Sequence, residues 1–371
     1  MTICVIGGGH AGLAVASHLT LLQHDVHLVA QPDHPGFIPH VQAAEGIMVE
    51  AVPNEHNGIF ARVHRADTEI EEALRECEYV IVTLPANARE HCFELIAKFV
   101  PDGRTVWVMP DKFGVLRLGA VMANFGRSPD DVLLCGSDTF LFIAKVHEGN
   151  HVWLRGRKGA LELSTLPHDR FSDALGVVRD VYPEAVSVPT VFHTSLGSSS
   201  SALHPTTLIY NLAKIENEGP FPVNNYDISP GMGRMIDALD AERVALAASL
   251  GVEVPSFLDN WRRFYGLTGD NAYEMISSST GHQGQISPST AKHRYIEEDV
   301  PFGLVPLAAL GAAIGMPMPV TDSLITTASV INDVDYRSIG ATLEWMGLAG
   351  NSAQRLTEFL GPISLGDRWP F

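Results

Sequence analysis

The chain reads as an α/β protein, with a doubly wound parallel sheet in an N-terminal domain and a mainly α-helical C-terminal domain. Three observations carry this. Short apolar, β-rich runs alternate with helical segments through the first half of the sequence, the pattern of a parallel sheet covered by helices. A glycine-rich turn follows the first of these runs and opens a helix. Beyond about residue 187 the alternation stops and helical segments dominate. At 371 residues the chain is long enough for two cores, and the expected domains are 1–187 and 188–371.

The elements follow in order. Thr2–Ile6 is a β-rich apolar run, Gly7-Gly8-Gly9-His10-Ala11-Gly12 the turn, Leu13–Leu22 a buried helix and Val26–Ala30 a second strand. That fits strand, turn, helix and strand into the roughly 30 residues of a βαβ unit. Glu69–Cys77 and Arg89–Phe99 read as helices flanking a strand at Tyr79–Leu84, and Thr105–Met109 is a further strand. Val132–Leu134 and Ala144–His147 are expected to extend the sheet, with Val152–Leu154 and Ala160–Leu163 as an antiparallel edge. After the Ser/Gly-rich loop 195–201, the clearest helices are Ile236–Leu250, Ser256–Tyr265, Leu304–Ile314, Thr321–Ile331 and Gln354–Leu360. The serine run lacks the G-x-S-x-G surroundings of a nucleophile and reads as a polar loop.

Composition narrows the function. A net charge of −18 disfavours nucleic-acid backbones and anionic membranes as partners. An acidic substrate would instead need a local basic pocket, which gives single arginines weight. Cys4, Cys77, Cys92 and Cys135 are scattered, show no CxxC or metal-ligand spacing, and read as small buried hydrophobes in a reducing cytoplasm. No metal is expected. The chain opens directly on a strand, without the pattern of a signal peptide, and no apolar run reaches the roughly 18 residues of a membrane helix.

Gly7, Gly9 and Gly12 satisfy G-x-G-x-x-G in the strand-to-helix context that gives the motif meaning, so the first domain is expected to be a Rossmann unit binding NAD(P)H. The glycines allow a tight turn, close approach of the pyrophosphate and close helix–strand packing, while His10 and Ala11 lie at the helix N-terminus that faces the phosphates. The second strand ends at Ala30-Gln31, where a ribose-binding acid would mark NAD; no arginine follows nearby to suit a 2′-phosphate. Gln31 is thus a candidate ribose neighbour that leaves NADH against NADPH open. Pro85 and Ala86, after the third apolar strand, are candidate cofactor neighbours, equally readable as a plain strand-ending turn.

Hydride transfer calls for an acid beside the reacting carbon, and histidine is the usual choice. Composition selects none of the 16 histidines. His204 stands out by context, after the polar loop and before Pro205, where it is expected at a helix start. Asp299, just before Pro301 and an apolar helix, reads equally as a helix cap. Arg294 sits beside Lys292 and His293 and reads equally as part of an exposed basic cluster. Their five-residue offset matches neither a helix face nor a strand face, which suggests a loop.

Leu203-His204-Pro205-Thr206-Thr207-Leu208-Ile209-Tyr210-Asn211, the helix bearing Leu239-Asp240-Ala241-Glu242-Arg243, and His293-Arg294-Tyr295-Ile296-Glu297-Glu298-Asp299-Val300-Pro301 running into Phe302-Gly303-Leu304-Val305-Pro306 together resemble the opine (octopine-type) dehydrogenase family. The resemblance implies NAD(P)H-dependent reductive condensation of an amino acid or other amine with a 2-oxo acid, through an imine, to a secondary amine. It implies that His204 is the proton donor, Asp299 its partner and Arg294 the clamp on the oxo acid's carboxylate. Small-molecule substrates are therefore the expected partners, and a homodimer through the helical domain is compatible with this reading. The segment 136–145 departs from the family. Gly136, Leu141-Phe142 and Lys145 stand where a Glu, a Pro-Tyr and an Arg are frequent, and Ser200 replaces a frequent Asn. Trp261 and Tyr265 are candidate walls of an amine pocket, with core packing the stronger expectation.

Two other readings compete. A simple 2-oxo acid or ketopantoate-type reductase would oxidise cofactor with the oxo acid alone; a ketopantoate-type site wants a central Lys acid and a Glu, and Lys214 and Glu216 sit in a helix but lack the right surroundings. A non-catalytic dinucleotide-sensing protein would bind cofactor without turnover, a reading prompted by the altered segment.

Overall fold

The computed structural model describes residues 1–51, 58–128, 130–223, 227–282, 285–350 and 356. The chain divides into two compact units, Met1–Thr194 and a second that begins at Ser195. The expected boundary at 187 falls on a short strand, Val186–Ser187, within the first unit.

In the first unit, strands β1 (Thr2–Ile6), β2 (Asp25–Val29), β3 (Ile47–Ala51), β4 (Ile59–Ala61), β5 (Arg65–Asp67), β6 (Tyr79–Val82), β7 (Thr105–Val108), β8 (Leu133–Ser137), β9 (Phe142–Glu148), β10 (His151–Arg157), β11 (Glu162–Leu166) and β12 (Val186–Ser187) form two sheets. The larger has the order β12-β11-β8-β7-β6-β1-β2-β5. β1 pairs in parallel with both β2 and β6, which places the reversal of strand order at the centre of the sheet. The chain crosses between these strands through helices α1 (His10–Leu21), α2 (Ile38–Ala44), α3 (Ile70–Glu76), α4 (Glu90–Phe99) and α5 (Gly114–Asn124). β1, β6 and β7 are apolar on both faces because a parallel sheet is covered on both sides. β11 pairs antiparallel with β8 as the sequence suggests, but it is not the edge: β12 pairs in parallel on its other side and closes the sheet.

The smaller sheet, β4-β3-β10-β9, corrects two expectations. β9 does not extend the parallel sheet, and β10 does not pair with β11; the two form a hairpin with each other, and β10 also pairs with β3. β9 and β10 are joined by only Gly149-Asn150, a connection that favours local antiparallel pairing.

The first unit ends with α6 (Phe171–Val181), and α7 (Val191–Gly197) spans the division between units. The second unit contains α8 (Ser200–Tyr210), α9 (Leu212–Glu218), α10 (Pro230–Ser249), α11 (Phe257–Tyr265), α12 (Ala272–Ser277), α13 (Arg294–Glu297), a π-turn at Val300–Leu304, α14 (Val305–Ala313), α15 (Pro319–Asn332) and α16 (Tyr336–Ile339), plus a two-stranded ribbon of β13 (Pro222–Val223) and β14 (Gln285–Ile286). The helix expected at 354–360 lies outside the described residues except for Leu356.

Polar side chains of α10 tie this unit together. Buried Arg243 donates to Asp240 and to the carbonyls of Leu196 and Pro255, while Asp240 accepts from the Phe257 N–H at the start of α11. Glu242 accepts from the N–H groups of Val320 and Thr321, satisfying the orphan donors at the start of α15. The Leu-Asp-x-Glu-Arg pattern is therefore structural: each of its charged groups holds another helix end. Trp261 packs in the core of this unit, stacked on Phe257 and His282, so core packing is its role; Tyr265 sits edge-on to Trp261 at the rim of that core.

Candidate active site

In the first unit, a candidate nucleotide site lies at the C-terminal ends of three adjacent parallel strands. The register Val29–Ile6–Val82 puts the glycine turn after β1, Gln31 after β2 and Pro85-Ala86 after β6 at one edge of the sheet. This is the switch point where doubly wound sheets bind ligands. Gly7 takes φ +138°, and a side chain on it would meet the Thr83 hydroxyl, which itself donates to the Ile6 carbonyl. A Cβ on Gly12 would collide with the Gly7 carbonyl oxygen, so helix and strand approach as closely as the motif requires. Around Gly9 a Cβ would meet nothing within 4 Å, leaving the approach to the turn open to a pyrophosphate. The residues present therefore fit a dinucleotide. The first turn of α1, with Ala11 and Gly12, supplies N–H groups that a helix does not use internally. The His10 ring turns away to the smaller sheet, where Nδ1 accepts from the Val146 N–H at 2.9 Å. Ala86 is buried and Pro85 exposed.

The departures in 136–145 acquire physical reasons here. A Cβ on Gly136 would press on the buried Asp111 carboxylate, which already accepts from the Val115 N–H and the Thr194 hydroxyl. Leu141 and Phe142 belong to the core of the first unit, and Lys145 is an exposed residue of β9.

A second candidate site lies in the second unit. His204 Nδ1 and Asp299 Oδ2 are 2.9 Å apart, although 95 residues separate them in the chain. Asp299 is 0% exposed, and its other oxygen accepts from the hydroxyls of Ser200 at 3.1 Å and Ser201 at 3.4 Å. With the carboxylate accepting at each of these contacts, the ring's Nδ1 is its donor and Nε2 stays outside the pair. The imidazole stacks on Tyr295, with centroids 4.1 Å apart and planes inclined by 3°. Ser200 was marked in the sequence only as the replacement of a frequent Asn, and Ser201 and Tyr295 had no individual signal beyond their nearness to His204 and Asp299.

Two local expectations are corrected. His204 is the fifth residue of α8, and Pro205 lies inside the helix. The missing proline N–H costs one backbone bond, offset by burial of Ala202, Leu203 and Leu208 on this helix. Arg294–Asp299 is not a loop: α13 begins at Arg294 and leads into the π-turn, whose Leu304 N–H reaches the Asp299 carbonyl at 3.0 Å. The Asp299 N–H likewise reaches the Arg294 carbonyl, five residues back, at 3.4 Å. This widened winding, common at functional sites, is what a five-residue offset requires. Asp299 makes no side-chain cap bond, so the capping alternative fails. The chain also passes close to α8 here, since a Cβ on Gly303 would collide with the Ser201 hydroxyl.

Arg294 is 59% exposed and pairs at 3.1 Å with Glu298, whose side chain is 1% exposed. His293 caps α13, its Nδ1 accepting from the Tyr295 N–H at 3.3 Å. Burial, then the positive charges of Arg294 and His204, push the His293 imidazole down to about 4. It is therefore a neutral cap beside His204. Lys214 is held by Asp227 at 2.8 Å over the Phe221 ring, a structural placement for the ketopantoate-type candidate acid.

Comparison with known proteins agrees with this geometry. Residues 187–332 match the model of the NAD/NADP octopine/nopaline dehydrogenase alpha-helical domain. The chain is 28% identical over 355 residues to an opine dehydrogenase of Arthrobacter sp. (strain 1C), covering 95% of this chain and 96% of that protein. It is 24% identical to a vitopine synthase of Allorhizobium ampelinum, covering 84% and 85%. A solved octopine dehydrogenase in complex with NADH and agmatine superposes with a TM-score of 0.78 at 18% identity, over 100% of this chain and 99% of that one. Residues 187–332 thus match the helical domain of octopine/nopaline dehydrogenases, and nearly the whole chain is similar in sequence to an opine dehydrogenase.

Proposed function

We propose that the protein condenses an amine with a 2-oxo acid and reduces the resulting imine to a secondary amine, using NAD(P)H. The observation that carries this is the buried Asp299 carboxylate holding Nδ1 of a partly exposed His204. When bound, the nicotinamide would supply a hydride to the carbon of the protonated imine, giving the secondary amine directly. Gly7, Gly9, Gly12, Ala11 and the backbone of His10 hold the phosphates, with Gln31, Pro85 and Ala86 beside the nucleotide. His204 delivers a proton from Nε2 to the oxygen that leaves as water when the imine forms. Asp299 stabilises the charged ring that this requires and fixes its orientation through Nδ1. Ser200 and Ser201 hold the carboxylate itself in place. Tyr295 covers one face of the ring and limits its rotation. Arg294 holds the oxo acid's carboxylate by charge-assisted hydrogen bonds.

A matrix assay tests the reading: pyruvate, glyoxylate and 2-oxoglutarate are each paired with a panel of amino acids and simple amines. NADH and NADPH are run in parallel and products are detected by mass. The expected outcome is cofactor oxidation that requires both substrates and yields their secondary amine. Oxidation with an oxo acid alone would make the protein a simple reductase, and nucleotide binding without turnover would make it a sensor. The four buried, unbridged cysteines support a cytoplasmic setting, and among the described residues no helix is long and apolar enough to cross a membrane.

A further inference from the structure

The smaller sheet of the first unit brings together three side chains that the reaction does not use. Glu50 on β3, His147 on β9 and His151 on β10 stand with one potential ligand atom each, all within 4.8 Å of one another. Glu50 and His151 are 101 residues apart in sequence and meet because β10 pairs with β3. The alternation of these strands sends Val49, Val146 and Val152 into the core and the three polar groups to the opposite face.

We propose that Glu50, His147 and His151 form a site for a divalent transition-metal ion, with Zn²⁺ as the type case. Two imidazoles and one carboxylate are a borderline-soft donor set that suits zinc and its neighbours better than magnesium or calcium. The spacing agrees. Glu50 Oε2 lies 3.5 Å from His147 Nε2, and Glu50 Oε1 lies 3.2 Å from His151 Nδ1. A tetrahedral ion with bonds of about 2.0–2.2 Å sets its ligand atoms roughly 3.4 Å apart, close to the distance of each imidazole from its own carboxylate oxygen, Oε2 for His147 and Oε1 for His151, so a rotation of the carboxylate is needed to present one oxygen to both. The remaining edge, between the two imidazoles, closes by small rotations of half-exposed side chains.

The carboxylate is also supported from outside. Trp153 Nε1 donates to Glu50 Oε2 at 2.5 Å, and the Trp153 indole lies against the His147 ring with centroids 4.4 Å apart. An indole N–H can only donate, so it cannot compete for the ion; it orients the ligand, as outer partners of metal sites do. The Arg155 guanidinium, 5.4 Å from the Trp153 ring, is a nearby cation that lowers affinity without occupying a ligand position. Three protein ligands leave a fourth position for water or an exogenous donor. The inference departs from the expectation of no metal, and it stands independently of the dehydrogenase reading.

The test is a titration of the intact protein with Zn²⁺ in competition with a chromophoric chelator, run on wild type and on His147→Ala, His151→Ala and Glu50→Gln. Co²⁺ is then substituted to read its d–d absorption. Wild type is expected to take up one equivalent that each histidine variant binds at least tenfold more weakly. Co²⁺ should give a tetrahedral-type spectrum that the variants lack. Wild-type thermal stability should rise by a few degrees with Zn²⁺, and the variants' should not. Equal uptake by wild type and all three variants, or no stoichiometric uptake by wild type, would overturn the site. Since the three side chains are partly exposed, circular dichroism without metal is expected to match wild type; a Glu50→Gln protein that folds and still binds as wild type also refutes the carboxylate's role.

Discussion

Replacing Asp299 by Asn is the sharpest probe of the proposed chemistry, because it changes charge while keeping shape. In the native protein the carboxylate accepts from His204 Nδ1 at 2.9 Å in a fully buried position, where a hydrogen bond to an ionised group is worth about 1.5–3 kcal/mol. Asn can turn its Oδ1 toward the ring and its amide nitrogen toward Ser200 and Ser201, whose hydroxyls accept as readily as they donate. The fold is thus expected to survive, with a loss of only a few degrees in Tm. The charged ring, however, loses its counter-charge. If that stabilisation is what keeps His204 able to donate a proton, turnover should fall about 10- to 150-fold, the kinetic equivalent of about 1.5–3 kcal/mol. The assay is steady-state loss of NAD(P)H absorbance with the best amine and oxo acid pair, alongside thermal denaturation and a nucleotide titration. Wild-type turnover in a folded Asp299→Asn protein would refute the assignment. Equal losses in turnover and nucleotide affinity would also refute it, by showing a general distortion.

Two further outcomes follow from neighbouring residues. Arg294→Lys keeps a cation near buried Glu298 but loses the planar fork, so the oxo acid's KM should rise about tenfold or more while the amine's KM changes little; a rise confined to the amine would exclude the clamp. His293 has a folded value near 4 against an ordinary 6.5, so the unfolded chain binds its proton first and the associated stability, present above about pH 6.5, is lost as pH falls toward 4. Asn at 293 can cap α13 through its side-chain oxygen without titrating, so Tm measured from pH 7 to pH 4 should fall less in His293→Asn than in wild type.

Much of this was legible in the residues. The glycine turn, the parallel strands around it and the helical second half follow from local periodicity, which a sequence displays directly. His204, Arg294 and Asp299 were reached through the pattern of residues around them; spacing alone gave each an equally good structural meaning. What escaped was set by long-range pairing. β9 and β10 have the composition of any half-buried strand, and nothing local says that β3, about a hundred residues away, is the partner. Hence the second sheet was missed, and with it the meeting of Glu50, His147 and His151, although His147 and His151 sit only four positions apart. His204 was placed too near a helix start because Pro205 favours the first turn; packing of α8 outweighed that preference. The five-residue offset from Arg294 to Asp299 looked incompatible with a helix because it matches neither of the usual spacings, and only a π-winding accommodates it.

That winding makes Arg294 and Asp299 parts of one rigid piece. The cation proposed for the oxo acid and the carboxylate that sustains the proton donor share a single short stretch of backbone, closed by the bonds 299 to 294 and 304 to 299. If the two act as proposed, a shift of this backbone would displace the carboxylate clamp and the partner of the proton donor together, so a single change here would be felt at both ends of the oxo acid.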